Sequence, residues 1–322
     1  MAEEEEPAHS DVGPSSFERV ENCPGSVGLS AGRPDTESAY SAQGTCAHFA
    51  AEKCRIEEID PGDMLGFRYE WGGPDDEDIV IDEEMVRYVR QFIDYVNQFE
   101  GHGLYERRLS YSDYIPGGFG TADDIRIVDG VCRITDFKYG KGVQYWAKEN
   151  RQLMLYALGA IQELGFAYDF DKFILAIHQP RLDHVDEWEI SVDDLMKWVN
   201  DVAIPKAEEA RGEDATIKAG RWCQFCRVSA VCRTRINWLM SIDTDRPLID
   251  NYELAQLVPF FAQMRGVITD MEKHAHSELS KGSLLPGVFL VEGRSNRRWI
   301  DEEAVESAAR HTYKLRKKDI TV

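Results

Sequence analysis

The stretch GTADDIRIVDGVCRITDFKYG, residues 120–140, decides how the chain folds. Apolar and polar residues alternate on both sides of Asp129-Gly130, and an Asp-Gly step between alternating segments is a strong signal for a two-residue hairpin turn. Counting outward from that turn pairs Val128 with Val131, Ile127 with Cys132, Ile125 with Ile134 and Asp123 with Asp136. Two carboxylates therefore oppose each other on the face that carries Ile125, Ile127, Cys132 and Ile134, with Cβ atoms expected about 4.5–5.5 Å apart. Like charges so placed repel unless they share a proton or hold a cation between them. Lys138 follows Asp136 by two residues and points to the same side. Hard oxygen ligands of this kind suit Mg²⁺ or Mn²⁺, which polarise a phosphoryl oxygen and lower the pKa of a water. An ammonium beside them can align that water and stabilise the charge that develops at phosphorus. The plainer alternative is a surface ion cluster in which Lys138 only neutralises Asp136.

Around the hairpin the hydrophobic period changes. TESAYSAQGTCAHFAAEKC predicts a helix over about 38–57, a linker rich in Gly, Pro and Asp spans 60–78, and Met85, Tyr88, Val89, Phe92, Val96 and Phe99 form one stripe of a helix over 82–99. LYERRLSY reads as a strand ahead of the hairpin. A helix over about 147–164, strands near 171–178 and 185–190, and a helix over about 192–210 follow. NYELAQLVPFFAQMRGVITDMEKHAHSEL is a long helical pattern, and a short strand and a helix are expected after residue 286. Residues 1–20 read as an acidic flexible tail, 21–240 as the main domain and 241–322 as a mainly helical extension.

The chain of 322 residues has a formal charge of −21, which argues against a general nucleic-acid or membrane coat because nonspecific phosphate binding needs clustered Lys and Arg. The charge is uneven: residues 221–235 carry Arg221, Arg227, Arg233 and Arg235 and no acid. No apolar run approaches membrane-spanning length and no charged-then-apolar leader is visible, so neither a transmembrane helix nor a signal peptide is expected, and the cytoplasm is the expected compartment. Seven cysteines, three of them in GRWCQFCRVSAVCRT (220–234), fit a reducing compartment and a metal site better than a disulfide framework. Cys223, Cys226 and Cys232 are one thiolate short of a closed site. Cys46, Cys54 and Cys132 read as buried small apolar residues.

Taken in order, GTAD (120–123), DFK (136–138) and RQLMLYALG (151–159) resemble the successive motifs of the RecB-like branch of the PD-(D/E)XK nucleases, and GTCAHFAAE resembles its first motif. The resemblance covers residues 20–235, and LVEGRSNRRW resembles the carboxy-terminal region of a phage and prophage family of such nucleases. It implies an α/β fold with a restriction-endonuclease-like core, in which a mixed central sheet is flanked by helices. The implied activity is metal-dependent DNA hydrolysis, with end-dependent exonuclease action in phage-type recombination. DNA is the implied partner, together with a single-strand-annealing recombination protein.

It further implies that His48, Asp123, Asp136 and the Phe137 carbonyl hold Mg²⁺ or Mn²⁺, and that Lys138 aligns the attacking water. Gln152 would hold the water or metal network and Tyr156 would support the site or touch DNA; both would share one helix face. Glu106 matches the acidic residue that starts the strand before the hairpin, and Lys141 is a candidate phosphate contact. Iron–sulfur members of the branch, the AddB-type and CRISPR-adaptation nucleases, join one early cysteine to a later Cys-x₂-Cys-x₅-Cys group. That implies a [4Fe–4S] cluster on Cys23, Cys223, Cys226 and Cys232. Four thiolates suit Zn²⁺ as well, and without the resemblance zinc is the favoured reading. Two other classes remain open: a non-catalytic, metal-stabilised DNA-binding or interaction module, and an acidic DNA mimic.

Overall fold

A computed structural model describes residues 10–33, 39–71, 78–240 and 251–290. In chain order the helices and strands are α1 (Phe17–Asn22), α2 (Ser26–Ser30), α3 (Ala39–Ile56), β1 (Arg68–Tyr69), β2 (Ile79–Val80), α4 (Glu83–Val96), β3 (His102–Ser110), β4 (Phe119–Val128), β5 (Val131–Phe137), α5 (Arg151–Leu164), β6 (Lys172–Gln179), β7 (His184–Ser191), α6 (Val192–Trp198), α7 (Ile204–Glu209), α8 (Arg233–Met240) and α9 (Asn251–Ser280). The chain divides into two units, Met1–Ile268 and Thr269–Val322. Of the second unit, the end of α9 and the turns up to residue 290 are described, and no strand occurs among those residues. The expected closing helix lies outside the described residues.

The first unit is an α/β fold around one five-stranded mixed sheet of order β3-β4-β5-β6-β7. Only β5 and β6 are parallel, joined through α5 as a parallel pair requires; the other neighbours are antiparallel. The hairpin register follows the turn: Val128 faces Val131, Ile127 faces Cys132 and Ile125 faces Ile134. Asp129 and Gly130 both take positive φ, 47° and 76°, as a type I′ turn demands.

Each face of the sheet carries its own core. Ile125, Ile127, Cys132, Ile134, Leu175 and Ile177 pack against α5, α6 and α7. Phe137 and Tyr139 face the opposite way and pack against α3 and α4. There Phe92 stacks on Phe137 at 4.4 Å between centroids. The buried ring of His178 stacks on Tyr95 at 4.7 Å, and its Nδ1 makes no hydrogen bond.

Burial depresses the His178 pKa to about 4. The unfolded imidazole, near 6.5, therefore binds a proton first on acidification. This contribution to stability is fully present above about pH 6.5 and is lost as pH falls through about 4. Urea unfolding of the wild type and His178→Phe at pH 7 and pH 4.5 should differ in their pH response by roughly 2–3 kcal/mol. Equal responses would show that His178 does not titrate on unfolding.

Several expected boundaries shift. Residues 12–20 are not a solvated tail, since Val12, Phe17 and Val20 are buried in the α5-side core and Phe17 meets Trp198 edge-on at 5.9 Å. The supposed linker contains β1, which pairs antiparallel with β2 just beyond its end. The helix expected from 147 starts at Arg151, because Asn150 caps it by accepting the amide N–H groups of Gln152 and Leu153 at 3.1 and 3.2 Å. The helix expected over 192–210 is interrupted by a π-turn at Val199–Ala203. Pro205 explains this, because it offers no N–H and its ring would clash with the carbonyl four residues back.

Candidate metal centre

Where β4 and β5 carry their carboxylates, side chains from both helix layers meet. His48, from the middle of α3, places Nδ1 3.2 Å from Asp123 Oδ1 and 3.7 Å from Glu106 Oε1. Ligand atoms of these three residues lie within 4.8 Å of one another, and Asp123 is buried while the other two are half-buried. Asp123 Oδ2 accepts the Phe137 amide N–H at 2.6 Å. In an extended strand the N–H and C=O of one residue face the same neighbouring strand, so the Phe137 carbonyl is directed toward this edge as well.

Asp136 belongs to a second group. Its Oδ2 lies 2.8 Å from Lys138 Nζ, which also donates to Gln152 Oε1 at 2.9 Å. Gln152 Nε2 then donates to the Tyr156 hydroxyl at 2.8 Å across one turn of α5. The motif glycine Gly120 lets this chain close: a Cβ there would stand 2.9 Å from the Tyr156 ring and 2.4 Å from Pro14. Of the expected ligand set, His48 and Asp123 stand together with Glu106, and Asp136 lies outside that trio on the lysine side.

The electrostatics are dominated by carboxylates. Three carboxylates, Glu106, Asp123 and Asp136, face one permanent cation, Lys138. Burial disfavours a charged His48, but Asp123 and Glu106 outweigh it and raise its pKa well above the ordinary value. Burial pushes Asp123 up, yet His48, the Phe137 amide and Lys138 hold it below the usual carboxylate range. Burial raises Asp136, and Asp123 adds to that against the pull of Lys138. Glu106 is likewise raised, first by burial. A histidine that must take up a proton to balance its carboxylates marks a place where a divalent cation fits the donor set.

Glu106 also carries backbone strain. It has φ of 43° inside β3, and the ladder pairs Tyr105 with Asp124 and Arg107 with Ala122 while Glu106 and Asp123 between them are unpaired. A left-handed Glu costs about 1 kcal/mol or more relative to Gly there, and such strain concentrates at functional positions. Glu106→Gly should therefore unfold at higher urea than Glu106→Ala, by about 1 kcal/mol, while both lose Mn²⁺ affinity at least about tenfold by calorimetry. Unchanged affinity would remove Glu106 from the ligand set.

Sequence reasoning missed Arg55. It lies seven residues after His48 on α3 and pairs with the fully buried Asp124, which Arg126 Nε also approaches at 3.3 Å. The Arg55 guanidinium rests 3.6 Å from the Tyr105 ring centroid. This pair pins α3 to the sheet beside Asp123, and the adjacent Asp123-Asp124 step was its only trace in the sequence.

The four cysteines also converge. Cys23, Cys223, Cys226 and Cys232 line one small cavity together with Ser26 and Trp222. Gly25 permits the approach, since a Cβ there would stand 2.7 Å from both the Ala215 carbonyl and Ile217. Arg19 Nη1 donates to the Phe225 carbonyl at 2.9 Å, and the Lys218 amide donates to Cys23 Sγ at 3.3 Å. Cys46, Cys54 and Cys132 are buried elsewhere, and burial holds the first two thiols at about 11.

The fold and site define an α/β chain with a His–Glu–Asp group at the end of a carboxylate-bearing hairpin. Residues 9–320 match the family described as "Protein of unknown function (DUF2800)", and the chain belongs to that family. Among solved structures, the crystal structure of SSO0001 aligns at 14% identity with a TM-score of 0.33, covering 68% of this chain and 84% of that one. No described helix is long and apolar enough to cross a membrane.

Proposed function

We propose that this chain is a Mg²⁺- or Mn²⁺-dependent deoxyribonuclease with a RecB-like PD-(D/E)XK core, acting at DNA ends in phage-type recombination or DNA processing. The observation that carries this reading is the meeting of the His48–Glu106–Asp123 trio with the Asp136–Lys138–Gln152–Tyr156 chain. His48, Glu106 and Asp123 would hold the cation, with Asp136 and the Phe137 carbonyl beside them; when bound it supplies Lewis-acid polarisation of a phosphoryl oxygen and a more acidic water.

The chain's own residues supply the rest. Asp136 and Gln152 engage two of the three N–H bonds of Lys138, and the third can aim at a water or a phosphoryl oxygen. Burial lowers the pKa of Lys138, but Asp136 outweighs it and keeps the group an ammonium. Tyr156, buried and protonated, fixes the Gln152 amide so that its oxygen faces Lys138.

For the four cysteines that line one cavity, the resemblance favours a [4Fe–4S] cluster over zinc. Its role would be structural, clamping the amino-terminal segment to the residues beyond the sheet. The test is a Mn²⁺ titration of end-labelled linear DNA and closed circular DNA. Mn²⁺-dependent degradation of the linear form is expected. Calorimetric Mn²⁺ binding without cleavage would leave the non-catalytic module as the better reading.

A further inference from the structure

Only the ends of the β5–α5 connection, Lys138 and Gln152, take part in the chemistry above. Between them KYGKGVQYWAK, residues 138–148, holds three lysines and no acidic residue in a chain of net charge −21. Lys141 and Lys148 are exposed, and Trp146 leaves 59% of its surface open. The indole therefore stands open between two exposed lysines in an otherwise acidic protein.

The segment is held firmly. Buried Gln179, at the end of β6, donates to the Gly140 and Val143 carbonyls at 2.5 and 2.7 Å and accepts the Tyr145 amide N–H at 3.2 Å. His184 Nε2 lies 2.8 Å from the Tyr145 carbonyl, and the Ala147 amide donates to Asp186 at 2.7 Å. Trp146 packs edge-on with the His184 ring at 4.8 Å. Its neighbour Tyr145 turns inward, with its ring centroid 5.3 Å from Lys138 Nζ. The indole is thus presented by a braced backbone one residue away from a contact to the proposed catalytic ammonium.

We propose that Trp146 is a stacking platform for an unpaired nucleobase of a single-stranded nucleic-acid end entering the site, with Lys141 and Lys148 meeting its phosphates. The proposal rests on the nuclease reading and specifies the strand it takes. Bases inside a duplex cover both faces on their neighbours, whereas an unpaired base offers a free face, and every base has one, so the contact tolerates any sequence. The lysines supply the local positive field that the acidic remainder of the chain opposes.

The test uses the full chain in EDTA, which prevents cleavage, with fluorescence anisotropy of a labelled short oligothymidylate, an abasic strand of equal length and a blunt duplex. Trp146→Ala should weaken oligothymidylate binding about tenfold, Trp146→Phe by less than about threefold, and neither should change binding of the abasic strand. Replacing Lys141 and Lys148 together with Ala should flatten the salt dependence of single-strand binding by about 1.4 in log–log slope.

The proposal is overturned if Trp146→Ala binds oligothymidylate like the wild type, or if the wild type binds no single strand. It is also overturned if the loss is equal on the abasic strand, or if the duplex suffers as much. Cleavage by the wild type in Mn²⁺, run in parallel, separates the two readings. Cleavage with no Trp146 effect sinks only the stacking platform, and Trp146-dependent binding without cleavage sinks only the nuclease.

Discussion

Lys138→Ala is expected to reduce the proposed Mn²⁺-dependent cleavage of linear DNA by about 10²–10³-fold, the loss expected when one positioned donor is removed from a developing oxyanion. It should leave Mn²⁺ binding largely intact, because His48, Glu106 and Asp123 group together without the lysine. The two readouts separate chemistry from ligation. Asp136→Ala removes the partner that keeps Lys138 charged and oriented, and it should abolish cleavage as well. His48→Ala and Asp123→Ala, by contrast, should lose Mn²⁺ affinity and cleavage together.

Folding should survive in the lysine variant. Without Lys138 the buried Asp136 carboxyl can take up a proton, and its pKa is already raised by burial and by Asp123. Gln152, freed from the ammonium, still bonds Tyr156. Undiminished cleavage by Lys138→Ala, with its thermal unfolding transition unchanged, would mean that Lys138 only neutralises Asp136.

The hairpin was legible because its signals agree. Asp129-Gly130 fixes the turn, the period-two pattern fixes the faces, and together they fix which side Asp123 and Asp136 occupy. The convergence of Cys23 with the later cysteines follows from no local pattern, since about 200 residues separate them. It was legible only through motif order. The position of Glu106 was less so: its carboxylate reaches Asp123 through a left-handed kink in β3, and neither propensity nor periodicity predicts such a residue. Arg55 stayed hidden for a different reason. A buried Arg–Asp pair looks in sequence like two ordinary surface charges, and only the packing of α3 on the sheet shows it to be internal. The amino-terminal segment misled because its acidic opening suggested solvent throughout, while Phe17 and Val20 carry enough apolar surface to dock on the sheet-covering helices.

Cys23→Ser should abolish the proposed [4Fe–4S] cluster. The wild type purified without oxygen is expected to be brown, with iron and labile sulfide in proportion to protein, and the variant colourless. Cys132→Ser is the control, because that thiol sits on β5 in the core between the sheet and α5, apart from the cavity residues, and burial keeps it protonated. A cross-link between residues 23 and 223 closes a loop whose chain entropy is on the order of 5 kcal/mol. That figure is an upper bound here, since Phe17, Val20 and the Arg19–Phe225 bond already hold the same segment in place. The melting temperature should still fall by several degrees. At temperatures where Cys23→Ser stays folded, Mn²⁺ affinity should change little, because none of the trio's ligand atoms comes from the residues around the cysteine cavity. A colourless wild type containing stoichiometric zinc would refute the iron–sulfur assignment while leaving the clamp. Full colour in Cys23→Ser would refute the clamp itself, since the later three cysteines would then hold the cluster without the amino-terminal segment.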